Sequence, residues 1–460
     1  MLNEVTAKKV IDCALSLGAD FADLFVERNR TLSVNLKSSK VDQITDGIDF
    51  GIGLRVLFGT KVLYGYTNSP DEDELIRVIR LLCAPDQRAP AHAAPIAFRS
   101  EAASRRSLTP SAIGSDLEAR IRLLRKIDEL TRKQSREISQ VSAHSLERHQ
   151  EIELFNSHGL HATDLRLYTR IGSEAVATDG DQKDSAFYGP GAAMGWEYAE
   201  SLDPAFIANE IARRSVTSLH AEPCPAGTMP VVIDHAFGGV IFHEACGHLL
   251  ETTSVEKKAS VFWDKKGEMI AHAAVNAVDD GTIPGAWGTL SIDDEGMPTQ
   301  RTQLIKNGRL ENFMADYVGN LKTGHPRTGS ARRQSYRYAP ASRMRNTFIE
   351  PGPHRFEELI ASIDRGLYAR SMGGGSVKTG TGEFNFSVQE GYLIENGKIS
   401  RPVKGATLIG TGPETLKQIS MVADNFEIMA GMCGSVSGSI PASVGQPALK
   451  VDEILVGGAK

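Results

Sequence analysis

Two Asn-Gly pairs constrain the fold of this chain more than any other local feature. They stand in the segments "LIKNGRLENF" and "LIENGKISRPV", each between runs in which apolar and polar residues alternate. Asn and Gly accept the positive φ that a two-residue hairpin turn requires. The pattern predicts antiparallel hairpins and a mainly β domain over residues 221–460. The exception is "AFGGVIFHEACGHLLE", which follows the strand-like "PVVID" and is predicted to be a helix.

The first 220 residues show a different pattern, in which helices flank runs rich in Val, Ile, Phe and Tyr. Residues 4–17 have apolar side chains at helical spacing and stop at Gly18, a usual helix end. Four short runs, from "FADLFVERN" to "FGIGLRVLFGTKVLYGYT", predict consecutive antiparallel strands. A helix over about Asp71–Cys83 follows. A second unit begins with a helix over about Ser115–Lys133 and ends with the helical "DPAFIANEIARRSVTSLH".

These patterns predict an α+β fold class. It comprises two N-terminal α/β units with antiparallel sheets and a mainly β C-terminal domain that carries the helix with the HExxxH spacing. A stretch dense in Pro, Ala and Ser separates the first two units and reads as a linker or extended arm. The predicted boundaries are 1–85 for the N-terminal unit, 86–113 for the linker, 114–220 for the middle unit and 221–460 for the C-terminal domain.

Charge and hydrophobicity exclude several classes of protein. A formal net charge of −6 provides no basic surface for nucleic acid. The N-terminus alternates apolar and charged residues, unlike a signal peptide, and no apolar run reaches the length of a membrane span. Five scattered cysteines argue against a disulfide framework. We therefore expect a cytoplasmic protein with no nucleic-acid or membrane partner.

The segment "FHEACGH" contains the residues best suited to metal chemistry. His243 and His248 are five positions apart, which places them about 140° apart around a regular helix, so they do not share a face. A single π-type turn would bring them together, and Gly247 would help the backbone to deform. The alternative is that both histidines are simply packed or hydrogen-bonded. A third ligand would decide between the two interpretations.

Two residues outside the motif are candidates for that third ligand. His235 lies on the turn before the helix, where local hydrogen bonding is the simpler role. Cys433 lies in "EIMAGMCGSVSGSIP", predicted to be a loop of small residues after an apparent helix, where a cysteine has little apolar packing to do. A thiolate and two imidazoles with an open fourth position form an accepted catalytic zinc arrangement.

The motifs together resemble one known family. They are "FHEACGH", "VDDGTIPGAWGTLSIDDEGMPTQRTQLIKNG", "SYRYAPASRMRNTFIEPG", the pair "EGYLIENGKI" and "PVKGATLIGTGPE", and "MCGSVSGSIPASVGQPALKV". Their order is similar to that of the TldD branch of the TldD/PmbA (TldE) metallopeptidases, most densely over residues 230–455. The resemblance implies a zinc metallopeptidase of the HExxxH type with one zinc ion per chain. It implies that His243, His248 and Cys433 bind the zinc and that Glu244 is the catalytic base.

The resemblance also implies substrates and partners. The substrates would be flexible or unfolded polypeptides and peptide precursors. The partner would be a PmbA/TldE-like paralogue in a heterodimer, or a second copy in a homodimer. The sequence departs from the family pattern at "TTSVEKK" after Glu251 and at Cys246, where an apolar residue is usual. These departures leave the implied ligands intact.

Several assignments stay open on the sequence alone. A cysteine hydrolase could use Cys246 or Cys433 with a histidine base, and a non-catalytic peptide-binding subunit could hold a structural zinc with four protein ligands. A carboxylate should orient one imidazole, and the candidates are Asp234, Glu251 and Asp424. The glycine-rich "SMGGGSVKTGTGEF" is predicted to be a flexible loop beside the substrate channel. The four arginines of 333–345 (Arg333, Arg337, Arg343 and Arg345) are predicted to lie in a solvated loop, and the alternative is that they bind a substrate carboxylate or a partner subunit.

Overall fold

Four long strands, of 17 to 20 residues each, organise the first half of the molecule. A computed structural model describes residues 1–86, 96–102, 116–378 and 380–458. The helices of the first half are α1 (Glu4–Ser16), α2 (Glu72–Cys83), α3 (Leu117–Gln134), α4 (Glu197–Ser201) and α5 (Pro204–His220). The strands are β1 (Phe21–Lys37), β2 (Lys40–Phe58), β3 (Lys61–Thr67), β4 (Arg99–Ala102), β5 (Ile138–Asn156), β6 (Leu160–Asp179), β7 (Gln182–Tyr188) and β8 (Gly191–Ala192).

Strand β1 differs from the two short strands predicted for the same segment. The predicted break falls at Asn29 and Arg30, but both residues pair with β2 on one side and with β5 on the other. Because each polar residue keeps its backbone hydrogen bonds within the sheet, the chain does not need to turn there. The predicted end of the first helix agrees with the structure, because α1 ends at Ser16 and Gly18 adopts a φ of +90°.

The strands of the two N-terminal units join in one sheet of order β3-β2-β1-β5-β6-β4, with β7 and β8 also paired to β6. Its strands are antiparallel except for the parallel pair β4 and β6. Helices α1 and α2 pack on β1–β3, and α3 and α5 pack on β5–β7. The expected linker over 86–113 lies largely outside the described residues, and its described part contains β4.

The C-terminal half contains two further sheets and one small pair of strands. The first sheet contains β9 (Glu222–Pro223), β10 (Gly227–Ile233), β17 (Arg365–Lys378), β18 (Glu383–Glu395), β19 (Lys398–Lys404), β20 (Thr407–Thr411), β21 (Ile419–Val422) and β24 (Leu449–Gly457). The second contains β11 (Ala277–Asp280), β12 (Arg301–Lys306), β13 (Arg309–Leu310), β16 (Asn346–Ile349), β22 (Glu427–Ser435) and β23 (Gly438–Gln446). The small pair is β14 (Ala331–Arg332) and β15 (Ala341–Ser342). The helices are α6 (Val240–Ala245), α7 (Thr252–Val255), α8 (Tyr317–Thr323), α9 (Phe356–Ala361) and α10 (Gly412–Lys417).

Both Asn-Gly hairpins are present. Asn307 and Gly308 join β12 to β13 with φ of 47° and 78°, and Asn396 and Gly397 join β18 to β19 with φ of 53° and 71°. The prediction of a mixed α+β fold with antiparallel sheets is confirmed. The prediction of a flexible loop at 371–384 is wrong for its two arms, because they pair with each other in the β17–β18 hairpin.

The helix with the HExxxH spacing lies between the two C-terminal sheets. Strand β10 leads through a 3-10 turn over Ala236–Gly239 directly into α6. The helix packs against β16, β17, β18 and β23. Most of the apolar side chains of α6, such as Ile241 and Phe242, are therefore buried in the core that the two sheets share. In the described parts of the chain, no helix has the length and apolar character that crossing a bilayer requires.

Candidate metal centre

The helix that carries the two histidines is interrupted in its middle. Helix α6 ends at Ala245, and Cys246 adopts φ −132° and ψ −51°, outside the helical region. A 3-10 turn over Gly247–Leu250 follows. The predicted π-type widening is wrong, because the Leu249 N–H donates to the Cys246 carbonyl at 2.9 Å, a tighter turn than in an α-helix.

Gly247, which directly follows this break in the helix, is also a site of close packing. A Cβ at this position would lie 2.2 Å from Sδ of Met344, whose side chain is fully buried. Met344 therefore packs directly against the turn after Cys246. The change of direction brings the ring of His248 beside that of His243, with centroids 5.1 Å apart and ring planes at 89°.

Cys433 reaches the two histidines from a distant strand. The prediction of a loop after a helix is wrong at this point, because β22 pairs with β23 along its whole length and Cys433 lies opposite Ile440. The strand places Sγ of Cys433 3.2 Å from Nε2 of His243 and 3.4 Å from Nε2 of His248. All three side chains are buried. The structure thus brings together three residues that the sequence singled out as ligands.

The donor atoms are suited in type and spacing to a zinc ion. They lie within 4.8 Å of one another. In a tetrahedral site with ordinary zinc–ligand distances, nitrogen and sulfur ligands are about 3.6 Å apart. The two N···S distances of 3.2 and 3.4 Å are close to that value. The cluster could therefore hold the ion with only small movements of its side chains.

The electrostatics of the cluster favour a thiolate. Burial raises the pKa of Cys433, but the charges and hydrogen bonds of His243 and His248 outweigh it, so that the pKa lies well below its ordinary value. Burial lowers the pKa of His248, but Glu251 and the Cys433 thiolate outweigh it and hold the pKa well above its ordinary value. A deprotonated sulfur is the form that binds zinc.

Glu244 is the carboxylate of the motif that reaches solvent. Its side chain is 26% exposed, while His248 beside it is 9% exposed, and the Glu244 Oε2 to His248 Nε2 distance is 3.8 Å. The carboxylate can thus contact water next to the three donor atoms. This is the position that a general base for hydrolysis needs.

Glu251 is one of three carboxylates considered for orienting an imidazole, and it contacts His248. Its Oε2 lies 3.1 Å from Nδ1 of His248, and its Oε1 accepts the Met344 backbone N–H at 3.3 Å. Asp234 instead contacts His235 and Tyr368, and Asp424 is exposed. Glu251 therefore leaves Nε2 of His248 facing the sulfur. The Glu251 carboxylate is itself positioned by the backbone N–H of Met344, which is distant in the sequence.

Arg343 is a residue of this site that the sequence analysis assigned wrongly to a solvated loop. Its side chain is fully buried. The guanidinium donates to the carbonyl of Cys433 at 2.5 Å and to that of Gly438 at 2.9 Å, and its Nε lies 4.0 Å from Glu251. It bridges the strand that carries the sulfur and the carboxylate that contacts His248. Arg333 and Arg345 are buried as well, so the expectation of a solvated loop is wrong for them too. Arg337, by contrast, is exposed and pairs with Asp49, so the expectation holds for that arginine.

Comparisons with known proteins identify the family to which the chain belongs. The chain matches the domain 1, central and C-terminal domain models of the PmbA/TldA metallopeptidases over residues 22–85, 112–219 and 226–458. The chain belongs to the PmbA/TldD metallopeptidase family. The implied family assignment is thereby confirmed, and a peptidase that uses a metal is the activity that the family name describes.

Similar proteins extend along almost the whole chain. A metalloprotease TldD homologue of Haemophilus influenzae is 36% identical, with 99% of this chain and 97% of that protein covered. A zinc metalloprotease TldD homologue of Saccharolobus solfataricus is 28% identical, with 98% and 99% covered. The crystal structure of TldE from Thermococcus kodakarensis superimposes with a TM-score of 0.79 at 18% identity, covering 98% and 100%, which shows a shared fold.

Two other candidate residues of this PmbA/TldD metallopeptidase, Cys246 and His235, are not part of the cluster of donor atoms. Cys246 is fully buried, and burial raises the pKa of its thiol, which disfavours a nucleophilic role. His235 bonds Asp234 at 2.7 Å and lies 3.2 Å from Glu427, so both ring nitrogens have local partners. The structure therefore brings Cys433, and not His235, to the two motif histidines.

Proposed function

We propose that this chain is a zinc-dependent peptidase in which His243, His248 and Cys433 bind one zinc ion and Glu244 is the catalytic base. The observation that carries the proposal is the convergence of two Nε2 atoms and one Sγ atom in a buried cluster beside a partly exposed carboxylate. The name of the Saccharolobus solfataricus relative supports zinc as the metal. A set of three protein ligands is typical of catalytic rather than structural zinc.

Each residue has a defined part in hydrolysis. Zinc, when bound, lowers the pKa of water and polarises a carbonyl group. Glu244 accepts the proton of the attacking water and donates it to the leaving amine. Glu251 holds the ring of His248 so that Nε2 faces the cluster. Arg343 holds the backbone of Cys433 through its carbonyl oxygen.

The proposal extends to substrate, partner and location. Flexible or unfolded polypeptides and peptide precursors would be the substrates. A PmbA/TldE-like paralogue would form a heterodimer with this chain, with a homodimer as the alternative, and the shared fold with TldE supports the first. All five cysteines are free thiols, which suits the cytoplasm. The domain boundaries predicted at 85, 113 and 220 belong to this proposal as well.

The substitution Glu244→Gln tests the base. It keeps the size of the side chain and removes its ability to accept a proton. We expect the zinc content, measured by elemental mass spectrometry, to stay unchanged. Hydrolysis of a fluorogenic peptide should fall by about 100- to 10,000-fold, the usual contribution of a general base. Full activity in a preparation free of other peptidases would remove Glu244 from this role.

Removal of the metal by a chelator distinguishes a zinc peptidase from a cysteine hydrolase. The distinction is needed because a Cys433 thiolate beside two imidazoles also resembles the nucleophile of a cysteine hydrolase. We expect a chelator to abolish hydrolysis and zinc to restore it. Activity that survives complete removal of zinc, together with loss of activity on alkylation of Cys433, would favour the cysteine hydrolase. A structural zinc would instead leave Glu244→Gln without any effect on the measured function.

A further inference from the structure

A cavity of about 870 Å³ lies between the middle unit and the C-terminal domain. Helix α5 and strand β7 form one wall, and β17, β18 and β22 form the other. The residues that line it do not include the three donor residues or Glu244. Its size falls within the usual range of ligand pockets. The cavity is therefore large enough for part of a peptide and separate from the metal ligands.

Aromatic side chains form the apolar surface of the cavity. Phe187 and Phe206 are 39% and 52% exposed, far more than an aromatic core residue. Tyr188 packs edge to face on Phe206 at 5.9 Å, and Tyr392 and Phe356 line the opposite wall. Solvent-exposed aromatic rings facing a cavity are typical of ligand sites. The ligand should therefore carry an apolar group.

Charged side chains also line the cavity, and most of the cations have carboxylate partners. His235 contacts two carboxylates, and the arginines of α5 and β17 contact two more. These pairs are Arg214 with Glu210 at 2.8 Å, Arg370 with Glu390 at 3.1 Å, and His235 with Asp234 at 2.7 Å and Glu427 at 3.2 Å. These cations are therefore neutralised from within the protein and need no ligand.

Arg170 differs from the other cations of the cavity. Its Nε donates to the Gly189 carbonyl at 3.2 Å, and its guanidinium lies 5.9 Å from the ring centroid of Trp287. Over the described ranges of the chain, no carboxylate lies within ion-pair distance of it. A Cβ at Gly189 would lie 2.5 Å from the ring of Phe187 and 3.2 Å from Nη2 of Arg170, so the glycine leaves room for both side chains. A half-buried arginine without an anion is an incomplete ion pair.

We propose that Arg170 and the aromatic walls of this cavity bind a peptide carboxylate together with the apolar residue next to it. The proposal rests on the proposed peptidase function and specifies its substrate class. Met429 and Ala430 line the cavity, and the same strand continues to Cys433. Met429 and Cys433 are four residues apart and therefore share one face of this strand, over which four residues span about 13 Å. One peptide can thus reach both the metal ligands and the cavity.

The carboxylate could be the C-terminus of the peptide or the side chain of Asp or Glu, and three acetylated peptides distinguish the sources. They are acetyl-Gly-Leu-Phe with a free carboxylate, the same peptide as its amide, and acetyl-Gly-Leu-Asp amide. Binding is measured by calorimetry on the full chain loaded with zinc and carrying Glu244→Gln, so that the peptides are not consumed. We expect a carboxylate peptide to bind about 10- to 100-fold more tightly than the neutral amide, as expected of charge-assisted hydrogen bonds.

The substitution Arg170→Gln should remove this preference, and Arg170→Lys should retain part of it because the charge remains without the planar fork. Arg77→Gln is the matched control, since Arg77 is exposed on α2 and pairs with Glu74 outside the cavity. If Arg170→Gln fails to fold, the pair Phe206→Glu and Phe206→Gln gives an independent measurement at an exposed position. Both changes remove an apolar wall residue and should weaken all three peptides, but the added charge of Phe206→Glu should also reduce the preference for the carboxylate, whereas Phe206→Gln should leave the ratio of acid to amide affinity unchanged.

The outcomes separate this inference from the proposed function. A preference for the free C-terminus, for the Asp peptide, or for both over the neutral amide supports the carboxylate site and identifies its source. Equal binding of acid and amide, or a preference that survives in Arg170→Gln, overturns it. A chain that prefers the carboxylate but never hydrolyses peptides contradicts only the peptidase. Hydrolysis without any carboxylate preference contradicts only the carboxylate site.

Discussion

His243 and His248 approach the same sulfur atom from two differently supported segments. His243 lies in α6, and its Nδ1 is buried without a hydrogen-bond partner in the portion of the chain that the structure describes. His248 lies in the 3-10 turn, and its Nδ1 contacts Glu251, which in turn accepts a hydrogen bond from Met344. Metal-binding histidines usually have such a partner. The hydrogen bonds that orient the imidazoles of the candidate site are therefore concentrated on His248.

This difference between the two histidines follows from the kind of residue that each segment contacts. Apolar neighbours such as Ile241 and Phe242 hold α6 in the core. The turn also has buried leucines, Leu249 and Leu250, but polar groups support it as well: Glu251 directly follows the turn, and Arg343 reaches Glu251 from a distant segment. Apolar packing restricts the position of a helix but not the orientation of a ring. Specific hydrogen bonds restrict both, so mutations in the two segments should differ in their effects.

Arg343→Met should have the largest effect on stability. It removes the cation near Glu251 and leaves the carbonyl oxygens of Cys433 and Gly438 without their donor. Breaking a buried ionic contact costs about 3–5 kcal/mol, so the urea midpoint should fall strongly. The control Arg337→Met removes an exposed pair with Asp49 and should cost about 0–1 kcal/mol. Equal losses in both variants would contradict the assigned role of Arg343.

Gly247→Ala tests the turn that separates the two segments. The new Cβ would meet Met344 at 2.2 Å, and overpacking of this kind costs about 1–3 kcal/mol. Combining it with Met344→Ala should cost less than the sum of the two single changes, because the shortened side chain makes room. Gly47→Ala is the control, since no atom lies within 4 Å of its Cβ position. Denaturant unfolding measures all four variants, and strict additivity would show that the contact is unimportant.

Glu251→Gln tests the unequal support of the two imidazoles directly. Losing the carboxylate that contacts His248 should weaken zinc binding by about 10- to 100-fold, as for other residues that orient metal ligands. Competition with a chromogenic chelator measures the affinity. Glu268→Gln, at an exposed glutamate beside Lys265, is the control and should leave the affinity unchanged. Unchanged affinity in Glu251→Gln would mean that both imidazoles are held by packing alone.

Substitution of His235 should have the smallest effect on stability, and it extends the comparison to a third histidine. Its hydrogen bond with Asp234, then that with Glu427, raises its pKa to about 10. Since the folded state holds the proton more tightly than the unfolded state, the stabilisation is complete below about pH 6.5 and is lost as the pH rises through 10. The ring is partly exposed, so His235→Gln should cost up to about 1 kcal/mol at pH 6. A cost that does not change between pH 6 and pH 11 in urea titrations would contradict this assignment.

Backbone conformations that depend mainly on neighbouring residues could be predicted from the sequence. Gly18 ends α1 and the Asn-Gly pairs form hairpin turns because positive φ favours these residue types wherever they stand. The break that was predicted in β1 did not occur, because hydrogen bonds to β2 and β5 outweigh the local preference of Asn29 and Arg30. Similarly, the apparent helix before Cys433 is a strand because β23 pairs with it.

The sequence by itself determined which chemical groups are available for a metal site: two imidazoles five residues apart, a carboxylate between them and a thiol near the C-terminus. The tertiary structure alone decided that these groups meet. Cys433 and His243 are 190 residues apart in sequence, and the helix breaks at Cys246 instead of widening. It also decided that Arg343 is buried and that Arg170 faces a cavity. Such contacts depend on sheet pairing and core packing between distant segments, which no short stretch of residues encodes.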